Sequence, residues 1–202
     1  AVGSGVNAPK SFSKIFIKYL KKETGLPFKS APNKYESLAS HDVFIEVMSG
    51  VEILTSALFK MAKYIRVLAS GPRSGISEII LPANEPGSSI MPGKINPTQC
   101  EALSMVCAHV IGLKNSIAFA CTQGHFQLNV YNPLIIHNTL DAISLISEAM
   151  ASFNKNCLKG LKVNKKRVTE LLNRSLMLVT PLTKVIGYDL ASKVALNAYH
   201  KN

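Results

Sequence analysis

Apolar and polar positions alternate along most of this chain with the three- and four-residue spacing of amphipathic helices. The spacing predicts a first helix over Pro9–Glu23, with Asn7 as its cap and Gly25 as its stop. A proline-containing loop is expected at 26–34. The pattern then stays helical without a proline, so it predicts one long helix from Tyr35 to Ser70.

The second half of the chain predicts an all-α protein with very little strand. We expect a short extended piece at 76–81 and an irregular segment at 82–97. Two long helices follow at 98–122 and 133–158, and then three shorter ones at 165–173, 181–186 and 189–200. Long helices of this kind are typical of a bundle. We therefore predict a central helical-bundle domain at 1–163, which contains the loop 82–97, and part of a small C-terminal helical domain at 164–202.

The composition is that of a chain with a sizeable core, since 47% of its 202 residues are hydrophobic. We see no apolar stretch approaching the roughly 20 residues of a membrane span, and the first residues lack a signal-peptide pattern. The sequence therefore predicts a soluble protein without a membrane partner. Because Ala1 stands where a methionine is usual, we expect a processed chain or a fragment.

Four cysteines lack both CxxC spacing and histidines at zinc-finger distances. Cys100 and Cys107 lie seven residues apart, on one face of a predicted helix. We interpret all four as reduced core thiols in a cytosol-like compartment. Metal binding is the minor alternative, and no metal site is predicted.

The net charge of +11 raises the alternative of a nucleic-acid partner. The lysines are spread out, however, and one stripe on the first helix (Lys10, Lys14, Lys18, Lys22) matches a solvated helical face. Aromatic residues do not alternate with the basic ones as a stacking platform requires. We predict no nucleic-acid partner.

The chemistry is concentrated in the run from Gly87 to Glu101, which reads GSSIMPGKINPTQCE. The glycines and prolines of this run are typical of a loop that closes over a ligand. Lys94 offers a compact positive charge and Asn96 offers amide donors, so the two suit one carboxylate. Ser88 and Ser89 add hydroxyls beside the start of a helix, and the loop therefore predicts an anion site.

Each member of this set also has an ordinary structural interpretation. Thr98 and Glu101 have the spacing of a capping box, in which Glu101 only closes the helix start. Lys94 taken alone is typical of a solvated lysine, and a pair of serines means little. The ordered run of fifteen residues carries the prediction.

The run closely resembles the signature loop of the fumarase/aspartase superfamily, and within it that of the class II fumarate hydratases. Further stretches resemble that family at 1–7, 31–36, 68–73 and 175–180, so the resemblance covers essentially the whole chain. Gly93 and the triplet Thr98-Gln99-Cys100 favour the fumarate hydratases over the aspartate ammonia-lyases.

The resemblance implies a cofactor-free homotetramer with active sites shared between subunits. Its reaction is the reversible trans hydration of fumarate to (S)-malate in the citric acid cycle. It implies that Ser88 is the base, that Glu101 pairs with a histidine handling the leaving hydroxyl, and that Ser89, Lys94, Ile95 and Asn96 bind the dicarboxylate. The location would be the bacterial cytoplasm or the mitochondrial matrix.

Departures from the family leave other functions open. The paired histidine and the segments for the second carboxylate are not found here, so we expect the chain alone to be inactive. Gln127 stands where the family has glutamate in a second substrate-side loop, and we interpret its neighbour His125 as a hydrogen-bonding group at the bundle end. The alternatives are an aspartate ammonia-lyase or another lyase of the superfamily, and a non-enzymatic helical or nucleic-acid-binding module.

Overall fold

The computed structural model describes residues 2–201, so that Ala1 and Asn202, the outer limits of the two predicted domains, lie outside it. The described part is mostly α-helical, as predicted. Its helices are α1 (Phe12–Thr24), α2 (Lys34–Ala39), α3 (Asp42–Leu68), α4 (Thr98–Cys121), α5 (Asn132–Asn156), α6 (Lys165–Asn173), α7 (Thr183–Ile186) and α8 (Tyr188–Lys201). Single 3-10 segments lie at His125–Gln127, Leu158–Gly160 and Leu176–Leu182. Two-residue strands β1 (Ile79–Ile80) and β2 (Lys162–Val163) pair antiparallel.

Helix α1 begins later than the sequence predicted. Asn7 adopts a positive φ of 66° in a turn, and Ser11 occupies the cap position without a side-chain hydrogen bond. The predicted stop is confirmed, because Gly25 takes a left-handed conformation and its N–H donates to the Lys21 carbonyl. Asn7 was therefore the wrong cap.

The single long helix predicted at 35–70 is two helices. Asn33 caps α2, since its side-chain oxygen accepts hydrogen bonds from the backbone N–H groups of Tyr35 and Glu36. Ser40 is extended, with φ −102° and ψ 138°, and it ends that short helix before α3 starts. Periodicity could not show the break because the hydrophobic pattern continues across it.

The chain forms two compact units that interleave along the sequence. The first contains the residues up to Met61 together with Glu101–Ala151. Its buried side chains come from three long helices, with Met48 on α3, Val110 and Ile117 on α4, and Ile135 on α5.

The second unit contains Ala62–Cys100 and the chain from Ser152 onward, a grouping that differs from the predicted boundary at 163. Its N-terminal part is held to α6 by side chains. Asn164 donates to the Ser77 carbonyl at 3.0 Å, and Arg167 donates to the carbonyls of Ile76 and Gly75 at 3.0 and 3.2 Å. These bonds join segments about 90 residues apart in the sequence. A domain division for the full-length protein stays a prediction.

Helix α4 corrects the expectation that no stretch approaches the length of a membrane span. Its 24 residues include a window with mean hydropathy 1.4, which is long and apolar enough by length and composition to cross a membrane. Core helices of soluble proteins give the same pattern. Here Lys114 of α4 forms an ion pair with Glu52 of α3 at 2.9 Å, which ties α4 to a neighbouring helix.

The prediction that the cysteines are free core thiols is confirmed. All four thiols are free and buried (Cys100, Cys107, Cys121 and Cys157). Burial raises the pKa of the Cys157 thiol, and a side-chain hydrogen bond with Cys100 lowers it to a smaller extent. These thiols therefore act as small apolar groups in the core.

Candidate active site

The predicted anion loop is an irregular segment of the second unit, between β1 and α4. Its neck is closed by backbone hydrogen bonds, because the Gly87 N–H donates to the Lys94 carbonyl at 3.0 Å and the Lys94 N–H donates to the Met91 carbonyl at 3.3 Å. A Cβ atom at position 87 would lie 2.2 Å from the Lys94 carbonyl oxygen. Only glycine allows the two strands of the loop to approach this closely.

Ser88 stands just inside the closed neck. Its hydroxyl oxygen accepts two backbone hydrogen bonds, from the N–H groups of Ile90 and Met91, each at 3.1 Å. Two donors aimed at one oxygen favour the deprotonated over the protonated hydroxyl. The same geometry also occurs in ordinary serine turns, so the site's chemistry depends on what lies beside it.

Beside Ser88 lies an open cavity of ≈ 470 Å³. Three of the predicted site residues line it, Ser88, Lys94 and Ile95, together with Glu85 and Asn84. Among residues 2–201 no carboxylate forms an ion pair with the exposed Lys94 ammonium, which leaves this charge available to an anion. The arrangement places a hydroxyl and a cation on one concave surface of the loop.

Asn96 serves the loop itself in this conformation. Its side-chain amide donates a short hydrogen bond to the Gly87 carbonyl, which reinforces the neck from the other side. It lines a second, much smaller cavity together with Cys100 and Cys157. Its predicted contact with a substrate carboxylate stays a prediction.

The remaining predicted residues lie outside the cavity lining. Ser89 is exposed next to Ser88. Glu101 lies in the first turn of α4, half-buried, and belongs to the first unit. The Thr98 hydroxyl, which the capping-box interpretation assigned to this helix start, donates to the Glu85 carboxylate.

Sequence reasoning missed the residues that fix this loop to its surroundings. Asn84 donates from its side-chain amide to the Asn156 carbonyl at 2.6 Å, and Glu85 accepts from Thr98. The only signal for them was their position between two prolines, Pro82 and Pro86, which indicates a rigid approach to the loop.

The second predicted loop, at 124–130, belongs to the first unit. Phe126 and Gln127 both take left-handed conformations, with φ of 52° and 59°, and His125 and Gln127 are exposed. Asn129 holds this loop. It is 1% exposed, its amide donates to the Ala120 carbonyl at 3.0 Å, and its oxygen accepts from the Tyr131 N–H at 2.9 Å.

Within residues 2–201, no three His, Cys, Asp or Glu side chains form a group that could hold a metal ion.

Comparison with known proteins gives a consistent set of similarities. A family model described as lyase matches residues 1–112. The mitochondrial fumarate hydratase of Dictyostelium discoideum is 53% identical over 98% of this chain and 41% of its own length. The class II fumarate hydratase of Methylorubrum extorquens is 52% identical over 100% of this chain and 43% of its own length. This chain thus spans about two fifths of the length of the curated relatives it matches.

Solved structures agree with the sequence relatives. The crystal structure of recombinant class II fumarase from Schistosoma mansoni superposes with a TM-score of 0.93 at 40% identity, covering 99% of this chain and 45% of that one. The 3-carboxy-cis,cis-muconate lactonizing enzyme of Pseudomonas putida superposes with a TM-score of 0.73 at 21% identity, over 98% of this chain and 43% of that one, and this likeness concerns the fold alone.

Proposed function

Because this chain belongs to the lyase family, we propose that the protein is a class II fumarate hydratase. Its reaction is the reversible trans addition of water to fumarate, giving (S)-malate. The proposal is supported by relatives bearing that name at 52–53% identity over nearly the whole chain. The observation that carries it is the Ser88 hydroxyl oxygen, which accepts hydrogen bonds from two backbone N–H groups in a loop whose cavity is lined by both Ser88 and Lys94.

In the malate-to-fumarate direction Ser88, as its alkoxide, takes a proton from the carbon next to a carboxylate. The electron pair of that C–H bond moves onto the carboxylate, which becomes a doubly charged aci-carboxylate. The hydroxyl on the adjacent carbon then leaves and takes up a proton to become water, and the carbon–carbon double bond forms. A serine hydroxyl is a weak base, so the step depends on donors that stabilise the alkoxide before reaction.

The two amide donors on Ser88 fit that requirement. Losing one preorganised donor to an oxyanion costs about 2.7–4 kcal/mol, whereas a charge near a helix N-terminus gains about 0.3–2 kcal/mol. The N–H groups of Ile90 and Met91 therefore contribute more to an alkoxide at Ser88 than the dipole of α4 does.

We assign the substrate carboxylate to Ser89, Lys94, Ile95 and Asn96. Lys94 is suited to the developing charge because its ammonium is a compact charge, exposed at the cavity and without an ion-pair partner in residues 2–201. Asn96 would bind substrate by exchanging its bond to the Gly87 carbonyl for one to a carboxylate oxygen. Glu101 pairs with a histidine that handles the leaving hydroxyl.

We further propose a homotetramer with active sites shared between subunits. The long helices expose large apolar side chains that a lone chain leaves in water, including Ile53 of α3 (73% exposed), Met105 of α4 (67%) and Leu140 of α5 (60%). Exposed apolar side chains that lie together in a patch are typical of protein interfaces. Sedimentation of the full-length protein tests the tetramer, and a monomer at micromolar concentration would contradict it.

The relatives' names include mitochondrial and bacterial enzymes, so we place the protein in the mitochondrial matrix or the bacterial cytoplasm.

The test is Ser88→Ala in the full-length protein, with fumarate formation from (S)-malate followed by ultraviolet absorbance. We expect kcat to fall by at least about 10³-fold, because general base catalysis and its stabilised anion are both lost. Ser11→Ala is the control, since Ser11 is an exposed serine before α1 whose side chain makes no cap hydrogen bond.

Two results would contradict the proposal. Near-normal turnover of Ser88→Ala would remove this hydroxyl from the mechanism. Fumarate formed from aspartate but not from malate by the unmodified protein would identify an ammonia-lyase of the same superfamily.

A further inference from the structure

Hydrogen bonds join the two ends of the active-site loop to the end of α5. On the first side, the Thr98 hydroxyl donates to the Glu85 carboxylate, and the Asn84 amide donates to the Asn156 carbonyl at 2.6 Å. Asn156 is the last residue of α5, so its carbonyl has no partner within the helix and is available to Asn84. The start of the loop is thereby tied to both α4 and α5.

The end of the loop is joined to α5 through the side chain of Ser152. The Ser152 hydroxyl donates to Gln99 Oε1 at 2.9 Å and accepts from the Asn156 amide at 3.1 Å. Ser152 and Asn156 are one turn apart on α5, and Gln99 lies in the first turn of α4. A single hydroxyl thus links the end of the loop to the same helix that holds its start.

Together these bonds close a ring, because Asn84 is followed by Glu85 and Thr98 by Gln99 along the chain. We call it the base ring, and its members are Asn84, Glu85, Thr98, Gln99, Ser152 and Asn156. All six belong to the second unit, and the bonds through Ser152 are partly buried. Screening from water makes these two bonds the stronger part of the ring.

We propose that Gln99 and Ser152 are positioning residues that hold the base of the loop so that Ser88 and Lys94 meet the substrate in the reactive geometry. The inference rests on the proposed function. It follows from the ring because these two side chains fix the end of the loop to α5, and the Asn156 amide joins Ser152 to the residue that holds the start of the loop. Residues 88–93 lie beyond the Gly87–Lys94 neck. A displacement of about 1 Å at a reacting group costs up to about 10²-fold in rate.

The hydrogen bond with Ser152 gives Gln99 a structural role that the Thr98-Gln99-Cys100 triplet alone did not indicate. A glutamine is long enough to reach the next helix while its backbone stays in the first turn of α4. Its oxygen accepts from Ser152, and its Nε2 remains a donor. A residue of another length or polarity at 99 would leave the Ser152 hydroxyl without this acceptor.

The experiment compares Gln99→Met, Ser152→Ala and the double variant in the full-length protein, with the exposed Ser11→Ala as the control. Both single variants remove the same bond. We therefore expect each to lower kcat about fivefold, with a smaller change in KM, and we expect the double variant to be no worse than the poorer single one. Ser152→Thr keeps a hydroxyl and should recover part of the rate.

A second readout does not depend on activity. Amide hydrogen exchange of the peptide spanning 82–97 should become faster in Gln99→Met and Ser152→Ala and stay unchanged in Ser11→Ala. The Tm of each single variant should stay within about 3 °C of that of the unmodified protein, because Gln99→Met loses one partly exposed bond and Ser152→Ala loses two.

The outcomes separate the two proposals. Unchanged exchange in the loop, fully additive losses of kcat, or a rate loss that only follows a lowered Tm would each overturn the positioning role. If the unmodified protein does not convert malate while exchange still rises in the variants, the proposed reaction is wrong and the ring still holds the loop.

Discussion

Replacing Gly87 by alanine should disable the active-site loop without unfolding the protein. The added Cβ would lie 2.2 Å from the Lys94 carbonyl oxygen, 2.7 Å from the Lys94 carbonyl carbon and 2.9 Å from the Asn96 nitrogen. All three are backbone atoms, so no side chain can rotate away to make room. The two strands at the neck of the loop must separate.

The size of the effect follows from that separation. Cβ contacts below 3.0 Å are essentially never observed, so the neck must open by close to 1 Å. This breaks the hydrogen bond from the Gly87 N–H to the Lys94 carbonyl and moves the adjoining Ser88. A 1 Å displacement of a reacting group costs about 10²-fold, and we expect kcat for malate to fall by about that factor. Tm should change by only a few degrees, about what the loss of one or two exposed hydrogen bonds causes.

Gly93→Ala is the matched control. Position 93 has open space around a Cβ but a left-handed φ of 76°, so alanine there meets backbone strain of about 1–2 kcal/mol and no clash. We expect about a tenfold effect at most. Gly93→Asn should be milder still, because asparagine tolerates the left-handed region.

The assay is steady-state fumarate formation by the full-length variants, with thermal unfolding measured on the same samples. If Gly87→Ala retained more than about a third of the normal kcat, the neck would not set the position of Ser88. If it lost activity only in step with a large fall in Tm, the glycine would serve folding and not the site.

Three further predictions follow from the described contacts. Lys94→Arg should lower kcat/KM about tenfold or more, because a planar fork replaces a point charge in a closed loop; an unchanged value would mean that Lys94 faces solvent during the reaction. Asn129→Ala should lower the free energy of unfolding by about 2–3 kcal/mol in denaturant titration, since buried groups lose their partners, whereas exposed Asn154→Ala should change it by less than about 0.5 kcal/mol. Burial raises the pKa of the Cys107 thiol. The stability gained by keeping this thiol neutral is therefore complete below the ordinary thiol pKa and is lost as the pH rises through the pKa of the folded state. Cys107→Ala should lessen the fall of Tm above about pH 9, and an identical fall in the variant would show that this thiol does not cause it.

The sequence predicted the long helices well where one periodic pattern coincided with one helix. The bounds predicted for α6 match those observed, and α4 differs by one residue at its end. The prediction failed where an extended residue ended a helix inside a continuous apolar pattern. Ser40 separates α2 from α3 in this way, and its extended conformation leaves no mark on hydrophobic periodicity.

The candidate site was predictable only in part, for a related reason. Ser88 and Lys94 are close in sequence, so a single loop brings them together and the motif alone indicates it. Ser152 lies 53 residues from Gln99, and no local pattern marks a serine near a helix end as a partner of a distant glutamine. Contacts of this kind depend on how helices pack, which a single sequence does not encode locally.

The loop therefore has two parts, a base that the base ring fixes and a tip, residues 88–93, that its own backbone organises. Each part controls a different contribution to the rate. The base determines where the tip can be, because its bonds run to α4 and α5. The tip determines what Ser88 can do, because the donors on its hydroxyl come from Ile90 and Met91, two and three residues further along. Loosening the base should lower the reactive population of loops and leave the basicity of Ser88 in the remaining ones unchanged. Changes at the base should then reduce kcat without moving its pH profile, whereas changes at Ile90 or Met91 that displace an amide donor should shift the profile itself.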